Sequence, residues 1–236
     1  MEEDLKLFDE YYEKFNSNEY GVYMKYDHTM RVVDIAKDIA KSLDLSEEDL
    51  LLAKKCALYH DIARLKQWTE YKTFVDFESF DHGKEGMLIL QELGINDNII
   101  LQSTLNHNKY KVDESLDDRT KLFCNITRDA DKIDIITNHI IECTDNELII
   151  TDEIMNAFKN HVPVNDKDII PHSPLHSIFR MLGYIFDINY KKSFEIIKEK
   201  NLVNIKTGLI LDKFDDDRVK QIRDICNKYI EERISD

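Results

Sequence analysis

Apolar residues recur at spacings of three and four through much of this chain, and that rhythm restricts it to helices packed on helices. From Asp27 to Leu43 the pattern places Met30, Val32 or Val33, Ile35, Ala36, Ile39, Ala40 and Leu43 on one face, with His28 expected in the first turn. Breakers are scarce. Six glycines and three prolines interrupt 236 residues, and charged residues make up 33%, a balance that suits helices joined by short turns rather than a β fold. The expected fold class is all-α.

Local signals divide the pattern into elements. Ser46 with Asp49 opens EEDLLLAKKCALYHDIARL, read as one helix with His60 and Asp61 in its last turns. An aromatic, irregular stretch follows from Trp68 to Phe80. Asp81 then caps a helix through Leu93, with His82 at its first position and Gly94 as a left-handed stop. Asn98 to Asn106 reads as a short helix ending near His107, and Ser115 with Asp118 starts a long one through about Ile141, with Asp131 near its middle. Beyond Thr151 come TDEIMNAFKN, SPLHSIFRMLGYIFDIN with Ser173 as cap and Pro174 first, YKKSFEIIKEK and DDDRVKQIRDICNKYIEERI. No linker rich in Gly, Ser or Pro divides the chain. Residues 1–151 therefore read as the core domain and 152–236 as a helical extension packed on it.

Composition excludes several classes of function. A formal charge of −15 disfavours long nucleic acids, whose affinity comes mainly from clustered Lys and Arg. A small anionic substrate stays open where bound cations reverse the sign locally. The acidic N-terminus MEEDLKLFDEYYEKF has no apolar stretch of a signal peptide, and no later run is long enough to cross a bilayer, so no membrane partner is expected. Cys56, Cys124, Cys143 and Cys226 are scattered without a C-x-x-C pair and read as reduced core thiols of a cytoplasmic protein. Homo-oligomers stay open.

The strongest chemical signal is the adjacent pair His60-Asp61, with His28 one helix earlier and Asp131 two helices after His82. Here the chain resembles the HD-domain superfamily, whose metal-ligand series runs His, His-Asp, Asp through a helical bundle. The matching positions are His28, His60, Asp61 and Asp131, the last within RDADKID. The segment HDIARLKQWTEYKTFVDFESFDHGKEG also resembles bacterial predicted HD phosphohydrolases, which read HDIGRF, an aromatic stretch and then DH. FDINYKKSFEIIKEK is similar to their C-terminal helix.

The resemblance implies a metal-dependent phosphohydrolase acting on a small nucleotide-like phosphate ester. His82 and His107 match the extra ligands of two-metal members, so His28, His60 and Asp131 would hold one ion, His82 and His107 the other, with Asp61 bridging. Imidazole and carboxylate without thiolate suit Fe, Mn, Co, Ni or Zn rather than Ca. Two such ions with two aspartates leave a local charge of about +2, enough to attract phosphate. Asp61 and Arg64 are the expected catalytic pair, Arg64 forking onto phosphate one turn after His60, with Lys84 and Lys132 as further substrate cations. Asp129 and Asp134 are expected as acceptors for ligand histidines, and Asp134 shares a face with Asp131. His139, His161, His172 and His176 are expected outside the site. Tyr11, Tyr12, Tyr20, Tyr23 and Tyr26 are expected to pack around the N-terminal helices. Trp68, Phe74, Phe77 and Phe80 fit either a lid or a satellite core. Two other functions share these features: an HD-fold di-iron oxygenase resembling myo-inositol oxygenase, and a non-catalytic ligand-binding module.

Overall fold

A computed structural model of the protein describes residues 1–138, 144, 146–170 and 173–236. Every regular element among them is helical, so the chain is all-α as expected. In order these are α1 (Glu2–Tyr12), α2 (Tyr20–Ser42), α3 (Glu47–Tyr59), α4 (Ala63–Tyr71), α5 (His82–Glu92), α6 (Asn98–Asn106) and α7 (Asp118–Asn138). They continue with α8 (Asp152–Lys159), α9 (Pro174–Gly183), α10 (Lys191–Glu199), α11 (Leu202–Leu211) and α12 (Asp217–Ser235). His139, Cys143, His172 and the expected helix end at Ile141 lie outside the described residues. No helix among the described residues is long and apolar enough to cross a membrane.

The chain forms two compact units, Met1–Asp131 and Lys132–Asp236. In the first, α2 packs along α3, α3 against α6, α5 against α6, and α4 against both α2 and α5. The α2 stripe buries Val32, Val33, Ala36, Ile39 and Ala40, against Ala53, Cys56, Ala57 and Leu58 of α3 as that helix's buried face. Caps act where the sequence marks them: Ser46 accepts from Asp49 N–H, and Asp81 from the N–H groups of Gly83 and Lys84. Gly94 takes φ +85°, the left-handed stop after α5. In the second unit α12 runs against α8, α10 and α11. Ser173 caps α9 by accepting from His176 N–H, with Pro174 as first residue. Cys56, Cys124 and Cys226 are buried free thiols.

Several boundaries differ from the sequence pattern. The helix carrying His28 begins at Tyr20, so His28 lies about two turns inside it rather than in the first turn. Glu19 makes no side-chain cap bond, which leaves that start unmarked. The segment read as one helix through His60-Asp61 breaks after Tyr59 and resumes at Ala63. No glycine or proline signals the break, because His60 and Ile62 keep right-handed helical angles and the turn closes through bonds three residues long, such as Arg64 N–H to the Asp61 carbonyl at 2.9 Å. Trp68 to Tyr71 belong to α4 rather than to irregular chain. Asp117, not Ser115, caps α7 through Thr120 N–H at 3.0 Å, and Ser115 instead turns back to Asp113. Helix α9 stops at Gly183 and tightens into a 3-10 turn over Tyr184–Asp187. Helix α11 was absent from the reading because its buried face includes Lys206 and Thr207 while Ile205 is exposed, which blurs the apolar stripe.

Candidate metal centre

Helix ends aim most of the expected ligands. His60 is the C-cap residue of α3 and His107 that of α6. Each ring turns back so that Nδ1 donates to the carbonyl three residues earlier, His60 to Ala57 and His107 to Thr104, both at 2.7 Å. Carbonyls of a last helical turn lack intrahelical partners, so the helix end itself supplies these acceptors. Arg128 of α7 holds the end of α6 from the other side, donating to the carbonyls of Asn106 at 3.0 Å and His107 at 3.2 Å. His82 is the first residue of α5, and both oxygens of Asp76 lie 2.7 Å from its Nδ1. His28 projects from α2 and Asp131 from α7.

The six side chains converge as two triplets, His28, His60 and Asp131, and Asp61, His82 and His107. In the first, His28 Nε2 lies 3.3 Å from His60 Nε2 and 3.2 Å from Asp131 Oδ1. In the second, His82 Nε2 is 3.0 Å from His107 Nε2. Asp61 faces both: Oδ2 lies 3.5 Å from His28 Nε2 and 3.6 Å from His60 Nε2, while Oδ1 lies 3.2 Å from His107 Nε2 and 3.5 Å from His82 Nε2. It is Asp131 that meets the first histidine pair, whereas Asp134 accepts from Asn138 at 2.7 Å.

This donor set fits a cation. His82 and His107 spend their Nδ1 protons on Asp76 and Thr104, so their Nε2 lone pairs point at one another across 3.0 Å in a buried place. Two lone pairs so placed repel unless a positive centre lies between them. Burial, with Arg64 nearby, pulls His82 down to about 4, so the ring is neutral and ready to coordinate near neutral pH. Burial alone would raise Asp61, but Lys25 and then His60 outweigh it and hold the carboxyl well below the ordinary carboxylate range.

Lys25 and Asp76 are the participants that the sequence reading missed. Lys25 Nζ lies 2.6 Å from Asp61 Oδ2, and its place one turn before His28 on the same helix face was the available signal. Asp76 lies in the 3-10 turn Asp76–Glu78, where no periodicity points to it. The Nδ1 acceptors of His60, His82 and His107 are thus Ala57, Asp76 and Thr104.

The expected substrate cations are differently employed. Arg64 Nη1 donates to Gln67 Oε1 and the Phe74 carbonyl at 2.6 Å and to Asp76 at 3.1 Å, while Nε lies 3.5 Å from Asp61 Oδ1. Instead of opening as a fork, this arm of the guanidinium holds the Phe74–Asp76 segment. Lys84 is exposed on the first turn of α5. Lys132 is buried and pairs with Asp187 at 2.7 Å within the second unit. Trp68 and Phe74 stack at 5.0 Å as a satellite core, and Phe77 is 88% exposed. Tyr12 and Tyr26 pack together at 4.5 Å and Tyr11 is buried, but Tyr20 and Tyr23 are exposed, contrary to expectation. His176 is bound to backbone at both nitrogens, and His161 stacks on Phe186 at 5.4 Å.

No curated protein and no solved structure matches the chain. A family comparison does: residues 26–136 match the model of the HD domain, and that span contains all six converging ligands. It is through this segment, an all-helical stretch with a His/Asp cluster suited to divalent metal, that the chain is similar to the HD domain.

Proposed function

We propose that the protein is a metal-dependent phosphohydrolase that cleaves a phosphate ester of a small nucleotide-like substrate. The observation that carries this reading is the position of Asp61, whose two oxygens each face a separate histidine pair. His28, His60 and Asp131 would hold one divalent ion and His82 and His107 a second, with Asp61 shared. When bound, the ions would supply Lewis acidity toward phosphate and lower the pKa of a water.

The chain's own residues prepare that chemistry. Lys25 on Oδ2 and Arg64 beside Oδ1 keep Asp61 ionised and fix its plane, so that one carboxylate serves both sides. Phe74 lies against both cations, 5.2 Å from Lys25 Nζ and 5.7 Å from Arg64 Cζ, and limits water around them. Burial pulls both His82 and His107 below the ordinary imidazole range, so these two rings lose little to deprotonation before they coordinate. Arg64 acts in this reading as a holder of Asp61 and Asp76, and Lys84, exposed on the first turn of α5, remains the proposed substrate cation.

The test is an anaerobic assay of apo-protein reconstituted with Mn or Co, measuring phosphate release from nucleoside mono-, di- and triphosphates and simple phosphate esters. Release is expected, since hydrolysis needs no oxygen. No release with any metal, together with oxygen consumption by an iron-loaded form given a diol or phosphonate, would overturn the reading in favour of an oxygenase.

A further inference from the structure

Asp76 is built into the molecule more firmly than a surface carboxylate needs to be. Three side-chain donors converge on it: Arg64 Nη1 at 3.1 Å, Gln67 Nε2 at 3.1 Å and Asn108 Nδ2 at 3.2 Å. Gln67 is fully buried and also donates to Ser79 Oγ at 2.7 Å, tying down the far side of the same turn. Asn108 in addition reaches Asp81, the cap of α5, at 2.9 Å. The carboxylate so held has its two oxygens on His82 Nδ1, whereas His60 and His107 donate to neutral backbone carbonyls. A charged acceptor makes the opposite ring nitrogen a stronger donor and fixes tautomer and ring plane.

We infer that Asp76 is a positioning residue that orients His82 and sets how tightly the Asp61–His82–His107 half-site holds its ion. The inference rests on the two-ion reading given above. It assigns Arg64, Gln67 and Asn108 a common purpose, as the frame that keeps Asp76 on His82. It also makes the second half-site the tunable one, because its affinity depends on a segment joined to α4 and α5 rather than on a helix end alone.

Titration of apo-protein with Co(II), following the visible absorption of the bound ion and counting metal per chain, tests it. Wild type is expected to take up two equivalents. Asp76→Ala should leave the first unchanged and weaken the second roughly 10- to 100-fold. Asp76→Asn keeps an oxygen acceptor without its charge and should fall between, and it carries the test if the alanine variant folds poorly. An unchanged second equivalent, or equal weakening of both, would reduce Asp76 to a structural anchor and overturn the inference. A wild type that binds a single equivalent would instead overturn the two-ion reading, and the assignment of Asp76 with it.

Discussion

The two halves of the centre are made of different material. His28 and Asp131 stand on the two longest helices of the first unit, and α2 is packed along α3, whose end carries His60. His82 and His107 sit instead where short helices meet irregular chain, the first residue of α5 and the residue just past α6. Core packing positions His28 and Asp131 of the first half, while His60, like His107, is set by a bond to a helix-end carbonyl. Local hydrogen bonds position the second: Asp76 on His82, the Thr104 carbonyl on His107 and Arg128 on the end of α6. A half-site fixed by the core is lost when the fold is lost, whereas one fixed by local bonds can be weakened alone.

The largest effect should come from removing what the halves share. Asp61→Ala is expected to abolish phosphate release and both metal equivalents. It should also remove the thermal stabilisation by metal, which for a ligand at 100 times its Kd amounts to about 2.7 kcal/mol. Calorimetric melts with and without metal check this. Full uptake of two ions by the variant would mean that Asp61 is not a bridge.

Next in size is a contrast between single histidines. His107→Ala should keep one equivalent of metal, bound by the His28, His60 and Asp131 set, and His82→Ala should do the same. His60→Ala should lose the ion of the first half. Metal analysis after dialysis distinguishes them, and equal losses in all three variants would show a single cooperative site in place of two halves.

The smallest effect probes the closeness of α5 and α6. A Cβ on Gly83 would stand 2.5 Å from Asn108 Oδ1 and 2.9 Å from the Leu105 carbonyl, so this glycine lets the start of α5 approach the end of α6. Gly83→Ala should cost about 1–3 kcal/mol through overpacking and weaken the second equivalent while sparing the first. Denaturant melts with metal titration measure both quantities. A stable variant with normal metal uptake would show that the helix ends need no such approach.

Part of this was legible because some helix ends near the centre are marked in the sequence. Ser46, Asp81 and Gly94 announce boundaries by side-chain chemistry or by left-handed backbone, and the place of His82 at the start of α5 follows from Asp81. His60-Asp61 was legible as a pair, but the turn that presents it was not, since a break that keeps helical angles leaves no trace in residue type. Lys25 was overlooked because the N-terminal half of α2 has no cap to announce it, and Asp76 because it lies in chain without periodicity. Arg64 was legible only in part. Its position relative to Asp61 was right, but a sequence does not reveal that Gln67, Phe74 and Asp76 would occupy one of its arms.

The central claim, one carboxylate between two ions, is tested most directly by anomalous scattering from crystals of the protein grown with Mn. The account predicts two peaks, one beside Asp61 Oδ2 among His28, His60 and Asp131, the other beside Oδ1 among His82 and His107. A single peak, or a second peak whose neighbours do not include Asp61, would contradict it.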